Sequence, residues 1–132
     1  MAAEQTAQSE PDAVTRGVKN PRVIDLIQPV GDQLVELVMF EERPWAESRD
    51  GLDDIQEKFN NYLDYVLDGH FLGQFEQYVD FKVRFALRYS NPLTGTAKEL
   101  LDAMNDYMRS AGLEFLIEQR PQAEIEEALA LR

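Results

Sequence analysis

The stretch Phe81-Lys82-Val83-Arg84-Phe85-Ala86-Leu87-Arg88-Tyr89 decides the fold. Apolar residues occupy every second position, with Lys82, Arg84, Ala86 and Arg88 between them. A period of two sends alternate side chains to opposite faces of a strand. This segment is therefore expected to have one buried face and one wet face carrying three cations. On the C-terminal side, Asn91-Pro92 breaks the strand. Thr96-Ala97-Lys98-Glu99 matches a capping box, and Gly112 sits at the matching stop. Between them Leu100, Leu101, Met104, Met108 and Ala111 form one helical stripe. Leu113 to Gln119 alternates again as a last strand.

On the N-terminal side, Leu52, Ile55, Phe59, Tyr62, Leu63 and Val66 recur at spacings of three and four. That is the apolar stripe of a helix over 52–67. Asp50 is its expected N-cap and Gly69 its stop. Before it, Val23–Gln28 and Leu34–Phe40 are β-rich, and the turn residues of Pro29–Gln33 make them an antiparallel hairpin. The expected order is β-β-α-β-α-β. A helix between two strands favours a parallel crossover. The fold class is therefore α/β (α+β): a two-layer sandwich, a four-stranded sheet with two helices on one face. Residues 1–20 are polar and aperiodic and read as a disordered N-terminal arm. Residues 21–120 form a single domain, and 121–132 a C-terminal tail with a short helix around Ile125 and Leu129.

A chain of 132 residues fits one domain. The absence of cysteine excludes disulfides, thiolate metal sites and cysteine nucleophiles. With 25 acidic against 13 basic residues the formal net charge is −12. That field repels phosphate backbones and anionic membranes, so neither nucleic acid nor membrane is an expected partner. No basic leader with an apolar run opens the sequence, and no run approaches the roughly 18 apolar residues of a membrane span. The expected location is cytoplasmic.

The chemistry-bearing residues are sparse. His70 is the single histidine, so it cannot supply both a triad base and a two-histidine metal site. Glu41, Glu42, Glu47, Asp50, Asp53, Asp54 and Glu57 cluster around the start of the first helix. They lack calcium-loop spacing and suit the positive end of that helix. No nucleophile-elbow, zinc-protease or dinucleotide motif occurs, and the loop 91–96 lacks phosphate-loop spacing. No catalytic residue, cofactor or metal ligand is assigned. Lys82, Arg84 and Arg88 either form a cross-strand charge ladder with Glu36, Glu114 and Glu118 or present a surface to an acidic partner. Arg43 and Trp45, in Arg43-Pro44-Trp45, either anchor an interface or fold back over the helix–sheet edge.

The leading expectation is a non-enzymatic protein-interaction module, with a protein partner or a second copy of itself. The alternative is a small-molecule-binding protein or enzyme. Its pocket would gather Trp45, Asn60, Asn61, Tyr62, Tyr65 and His70 at one end of the first helix. Asn60 and Asn61 cannot both face the core.

Certain segments also carry a likeness: Arg22–Ile27, Val35–Met39, Glu42-Arg43-Pro44-Trp45, Gln56-Glu57-Lys58-Phe59-Asn60-Asn61-Tyr62-Leu63 through Gly69, Lys82–Leu87 and Gly112–Phe115. In these the chain resembles a group of small bacterial proteins classed only as a domain of unknown function. The resemblance spans about residues 22–119. It implies a compact bacterial domain and brings no activity or catalytic residue. A proline expected near Gln74-Phe75-Glu76 is absent.

Overall fold

Four strands form one sheet in the order β1-β2-β3-β4, in a computed structural model that describes residues 16–130. The strands are β1 (Leu26–Val30), β2 (Leu34–Glu41), β3 (Lys82–Tyr89) and β4 (Glu114–Gln119). The helices are α1 (Asp53–Leu67), α2 (His70–Gln74), α3 (Gly95–Ser110) and α4 (Gln122–Ala130). A 3₁₀ turn at Arg49–Leu52 leads into α1, and another at Glu76–Tyr78 follows α2. β1 and β2 pair antiparallel, while β2–β3 and β3–β4 pair parallel, the helix-linked crossovers being parallel as expected. The fold is α+β.

Alternation in β3 puts Val83, Phe85, Leu87 and Tyr89 toward α1 and α3, with Val35, Leu37 and Met39 of β2 beside them. Their core partners from the helices are Ile55, Phe59, Tyr62, Leu63, Leu100, Leu101, Met104 and Met108. Phe85 is wholly buried, and Phe59 and Tyr62 meet its ring edge-on at 6.1 and 5.7 Å. The opposite face has a second, smaller core of Val38, Phe40 and Ala86 under Ile125 of α4. The tail is thus a lid over one end of that face. β2 is apolar toward both layers, as a central strand between two cores must be.

Local boundaries differ from the sequence expectation for physical reasons. α1 is not capped by Asp50. Its N-cap residue is Leu52, without a side-chain hydrogen bond, because the 3₁₀ turn inserts ahead of it. α3 is capped by Thr94, whose Oγ1 accepts from Ala97 N at 3.0 Å. Thr96 instead donates to the Glu47 carbonyl at 2.9 Å. Gly69 does stop α1: its φ of +86° is the left-handed conformation that glycine adopts freely. The chain then turns at once into the short helix α2, in the aromatic-rich stretch 69–79 where the sequence leaves room for a short helical turn.

The expected arm reached residue 20, yet residues 16–20 pack on the core, and Val18 is fully buried. Val18 N donates to Phe40 O at 2.8 Å, and Phe40 N donates to Asp25 Oδ2 at 3.0 Å. Those two contacts occupy the edge of β2 beyond Val38, so β1 begins at Leu26 rather than Val23. Residues 1–15, which hold the rest of the expected arm, lie outside the described residues. Among the described residues no helix is long and apolar enough to cross a membrane.

Candidate functional site

The cations singled out in the sequence are mostly paired within the molecule. Glu36 and Arg84 sit opposite each other across β2 and β3. Arg84 binds Glu36 Oε2 through Nη2 at 2.5 Å and Nε at 2.8 Å. Arg88 reaches Glu36 Oε1 at 3.4 Å and Glu118 at 3.5 Å, and Gln28 donates to Glu36 Oε1 at 3.2 Å. Glu36 is thereby closed off, only 1% exposed. This is the cross-strand ladder; it ties Gln28, Glu36, Arg84, Arg88 and Glu118 together across the sheet. Lys82 stands apart, exposed and without an ion pair among the described residues.

Arg43 grips Glu41 in a fork, Nε at 3.0 Å and Nη2 at 2.9 Å, and holds Asp54 through Nη1 at 3.2 Å. Burial lifts the Glu41 carboxyl above its ordinary range, and Arg43 opposes that shift. Trp45 folds back. It is buried and meets Tyr89 edge-on at 5.8 Å. Neither arginine ladder nor Trp45 is a free anchor.

The six residues proposed for a pocket separate. Tyr62 points into the core, where its hydroxyl donates to Val38 O at 2.7 Å and accepts from Asp25 N at 2.9 Å. Trp45 lies at the start of α1 and Tyr65 near its end. A helix rises about 1.5 Å per residue, so no single small pocket reaches both. Asn60 is exposed, on the groove between α1 and α3. Asn61, Tyr65 and His70 do converge, on a cleft of about 550 Å³ at the C-terminal end of α1.

Three parts of the chain build that cleft. α1 contributes Asn61, Asp64, Tyr65 and Asp68; α2 and its end contribute His70, Gln74 and Phe75; the N-terminal segment contributes Arg22, Ile24 and Ile27. Ile24, Ile27, Tyr65 and Phe75 are half-buried and give an apolar wall. Two hydrogen bonds fix its polar members: Asn61 Nδ2 donates to Pro21 O at 2.9 Å, and Tyr65 donates to Gln74 Oε1 at 2.5 Å. Burial raises the Tyr65 phenol above its ordinary value. Arg22, Asp64, Asp68 and His70 are exposed on the same cleft, and none is in an ion pair among the described residues. The last turn of α1 carries no basic residue. No cation in that turn of α1 therefore offsets its carbonyl end and the two carboxylates, and Arg22 of the N-terminal segment lines the same cleft. Among the described residues no group of acids and histidine could hold a metal ion.

A buried ion pair, unforeseen in the sequence, positions the N-terminal wall. Lys58 and Asp25 meet at 2.7 Å with both side chains wholly enclosed. Lys58 Nζ donates its other two bonds to Gly17 O at 2.8 Å and Asn20 O at 2.9 Å. Asp25 accepts from Gly17 N at 2.7 Å and from Phe40 N. Burial pushes the Asp25 carboxyl up and the Lys58 ammonium down, and each partner opposes the other's shift. Every ammonium proton is used and no solvent reaches it, so this pair is a clasp rather than a reactive centre. The signal was present in the sequence. Lys58 lies three residues after Ile55 and four before Tyr62, inside the apolar stripe of α1.

No curated protein and no solved structure matches the chain. One family does: residues 16–121, from the first described residue to just past β4, fit the family of unknown function DUF6572, and the chain belongs to it.

Proposed function

We propose that the protein is a non-enzymatic binding module that takes an amino-acid-like zwitterion in the cleft at the end of α1. One observation carries this reading: Arg22, His70, Asp64 and Asp68 share one cleft, unpaired among the described residues, beside an apolar wall. Such a wall suits an aliphatic or aromatic body. Asp64, Asp68 and the helix C-terminus favour an ammonium group, and Tyr65 and Phe75 offer ring faces to it. Arg22 offers a fork to a carboxylate. Among the described residues no hydrogen bond joins His70 to an acid, which favours binding over catalysis.

Calorimetry with three probes of one shape tests this. L-Phenylalanine carries both charges, phenethylamine the ammonium alone, and 3-phenylpropionate the carboxylate alone. Phenylalanine should bind tightest and phenylpropionate weakest. Asp64→Asn with Asp68→Asn should abolish phenethylamine binding, and Arg22→Gln should weaken phenylalanine to the level of the amine. Equal affinities, tightest binding of the anion, or no binding of any probe would overturn the reading.

A second surface supports the protein-partner reading. Leu67 and Tyr107 are 58% and 51% exposed and flank the groove of about 470 Å³ between α1 and α3. Exposed apolar side chains on one groove are a docking signature. If a second copy docks there, sedimentation should give a dimer that Tyr107→Lys returns to monomer; a monomer at all concentrations would exclude self-association.

A further inference from the structure

α1 and α3 both connect parallel strands on one face of the sheet, so they run side by side in the same direction. The groove between them is about 470 Å³ and has Phe59 and Leu63 as its buried floor. Leu67, the last residue of α1, and Tyr107, in the last turn of α3, stand 58% and 51% exposed on its two rims. Carboxylates border both rims. Asp53, Glu57, Asn60, Asp64 and Leu67 follow one another at spacings of three and four, a single exposed stripe of α1. Glu99, Ala103 and Tyr107 make the facing stripe of α3. Asp53, Glu57, Asp64 and Glu99 have no ion pair among the described residues. The exposed cations of the two helices, Lys98 and Arg109, fall on the far flank of α3. There Asp102 engages Lys98 at 3.5 Å and Asp106 engages Arg109. An apolar floor and two exposed apolar side chains are thus bordered by acids that no cation of α1 or α3 pairs.

A groove between two helices can seat a third, whose apolar side chains at i, i+3, i+4 and i+7 enter between them. Charge decides which helix. A second copy carries the same net −12 and would bring acid against acid. The chain's own α4 holds Glu124, Glu126 and Glu127 and no base, so it supplies no complement either. Resting on the docking reading of this groove, we propose that its occupant is a cationic amphipathic helix of a different protein. Its apolar side chains lie against Leu67 and Tyr107, and its lysines or arginines face Asp53, Glu57 and Glu99.

The probe is a fluorescein-labelled peptide of about 18 leucines and lysines, patterned as an amphipathic helix and long enough to form one. A scrambled peptide of the same composition, and one with glutamate in place of lysine, are the controls. Anisotropy should show the patterned peptide binding with a dissociation constant of about 100 μM or below, weakening as salt rises. The scrambled peptide should bind at least about tenfold more weakly, and the glutamate peptide not at all. Leu67→Ser and Tyr107→Ser should each weaken the patterned peptide by about fivefold or more. Glu57→Gln with Glu99→Gln should weaken it and flatten its salt dependence. All four positions are exposed, so circular dichroism should show the fold kept. Asp64, which also lines the zwitterion cleft, stays intact, so the outcome is independent of that site. Amide shifts of ¹⁵N-labelled protein should centre on Asn60–Leu67 and Ala103–Tyr107. Equal binding of the scrambled peptide, no loss in the serine variants, shifts centred on Arg22–Ile27, or no binding would overturn the proposal. Sedimentation separates the two ways of failing. A dimer dispersed by Tyr107→Lys keeps the docking reading but seats a second copy in the groove, which overturns the cationic partner. A monomer that binds no peptide removes both.

Discussion

Lys58 shows how much one side chain inside an apolar stripe can organise. Replacing it with Met would leave Asp25 buried without its counter-charge, a loss of about 3–5 kcal/mol. The deficit should depend on pH with a definite sign. Burial already raises the Asp25 carboxyl above 3.8, and loss of Lys58 raises it further. A carboxyl whose folded pKa exceeds its unfolded one stabilises the fold when protonated, and that gain is lost as pH rises. Urea unfolding of Lys58→Met should therefore approach wild type as pH falls toward 4, and a constant deficit would refute the assignment. Tyr62 gives a complementary case. Burial holds its phenol well above 10, with the Asp25 charge adding to the effect. The folded state keeps a proton that the unfolded chain releases above about pH 10, so stability there falls as pH rises. Tyr62→Phe, which removes two hydrogen bonds, should be less stable at pH 7 by about 1–2 kcal/mol. The gap should narrow above pH 10. Phe85→Ala, at the centre of the core, should cost about 3–5 kcal/mol by the same unfolding measurement.

At the scale of elements, periodicity revealed what sheet and helices share, and tertiary contacts set what they do not. The alternation of Phe81–Tyr89 and the stripes of α1 and α3 were plain, because each buries one face. The start of β1 was hidden. Asp25 reads as one residue of a β-rich run until its carboxylate is seen bonding Phe40 N. Thr94 and Thr96 are both credible caps, and the loop at Ala46 and Glu47 chooses between them: each threonine donates to one of its carbonyls, and Thr94 also receives Ala97 N. The segment before Pro21 looked dispensable because its polar residues show no period, yet its carbonyls are ligands of Lys58. A chain starting at residue 21 should therefore be less stable than one starting at residue 16 by more than about 3 kcal/mol. Equal melting temperatures would show that the clasp contributes nothing. The site was half legible for the same reason. Asn61, Tyr65 and His70 could be grouped by position along α1, whereas Arg22, Ile24 and Ile27 enter through the long-range packing that the clasp imposes.

Across the whole molecule, the charge excess is not spread evenly in its consequences. The sheet face consumes Arg84 and Arg88 on Glu36, and the turn after β2 consumes Arg43 on Glu41 and Asp54. Among the described residues, Arg22, Asp64, Asp68 and His70 are left unpaired on the cleft at the end of α1, which supports the binding surface proposed there. The direct measurement is the backbone and side-chain amide spectrum of ¹⁵N-labelled protein as L-phenylalanine is added. The account predicts saturable shifts at Arg22–Ile27, at the Asn61 side-chain amide and at Asp64–Phe75, with the Trp45 indole unmoved. Shifts centred on Leu67 and Tyr107 alone, on the Arg84–Arg88 face, or nowhere would contradict it.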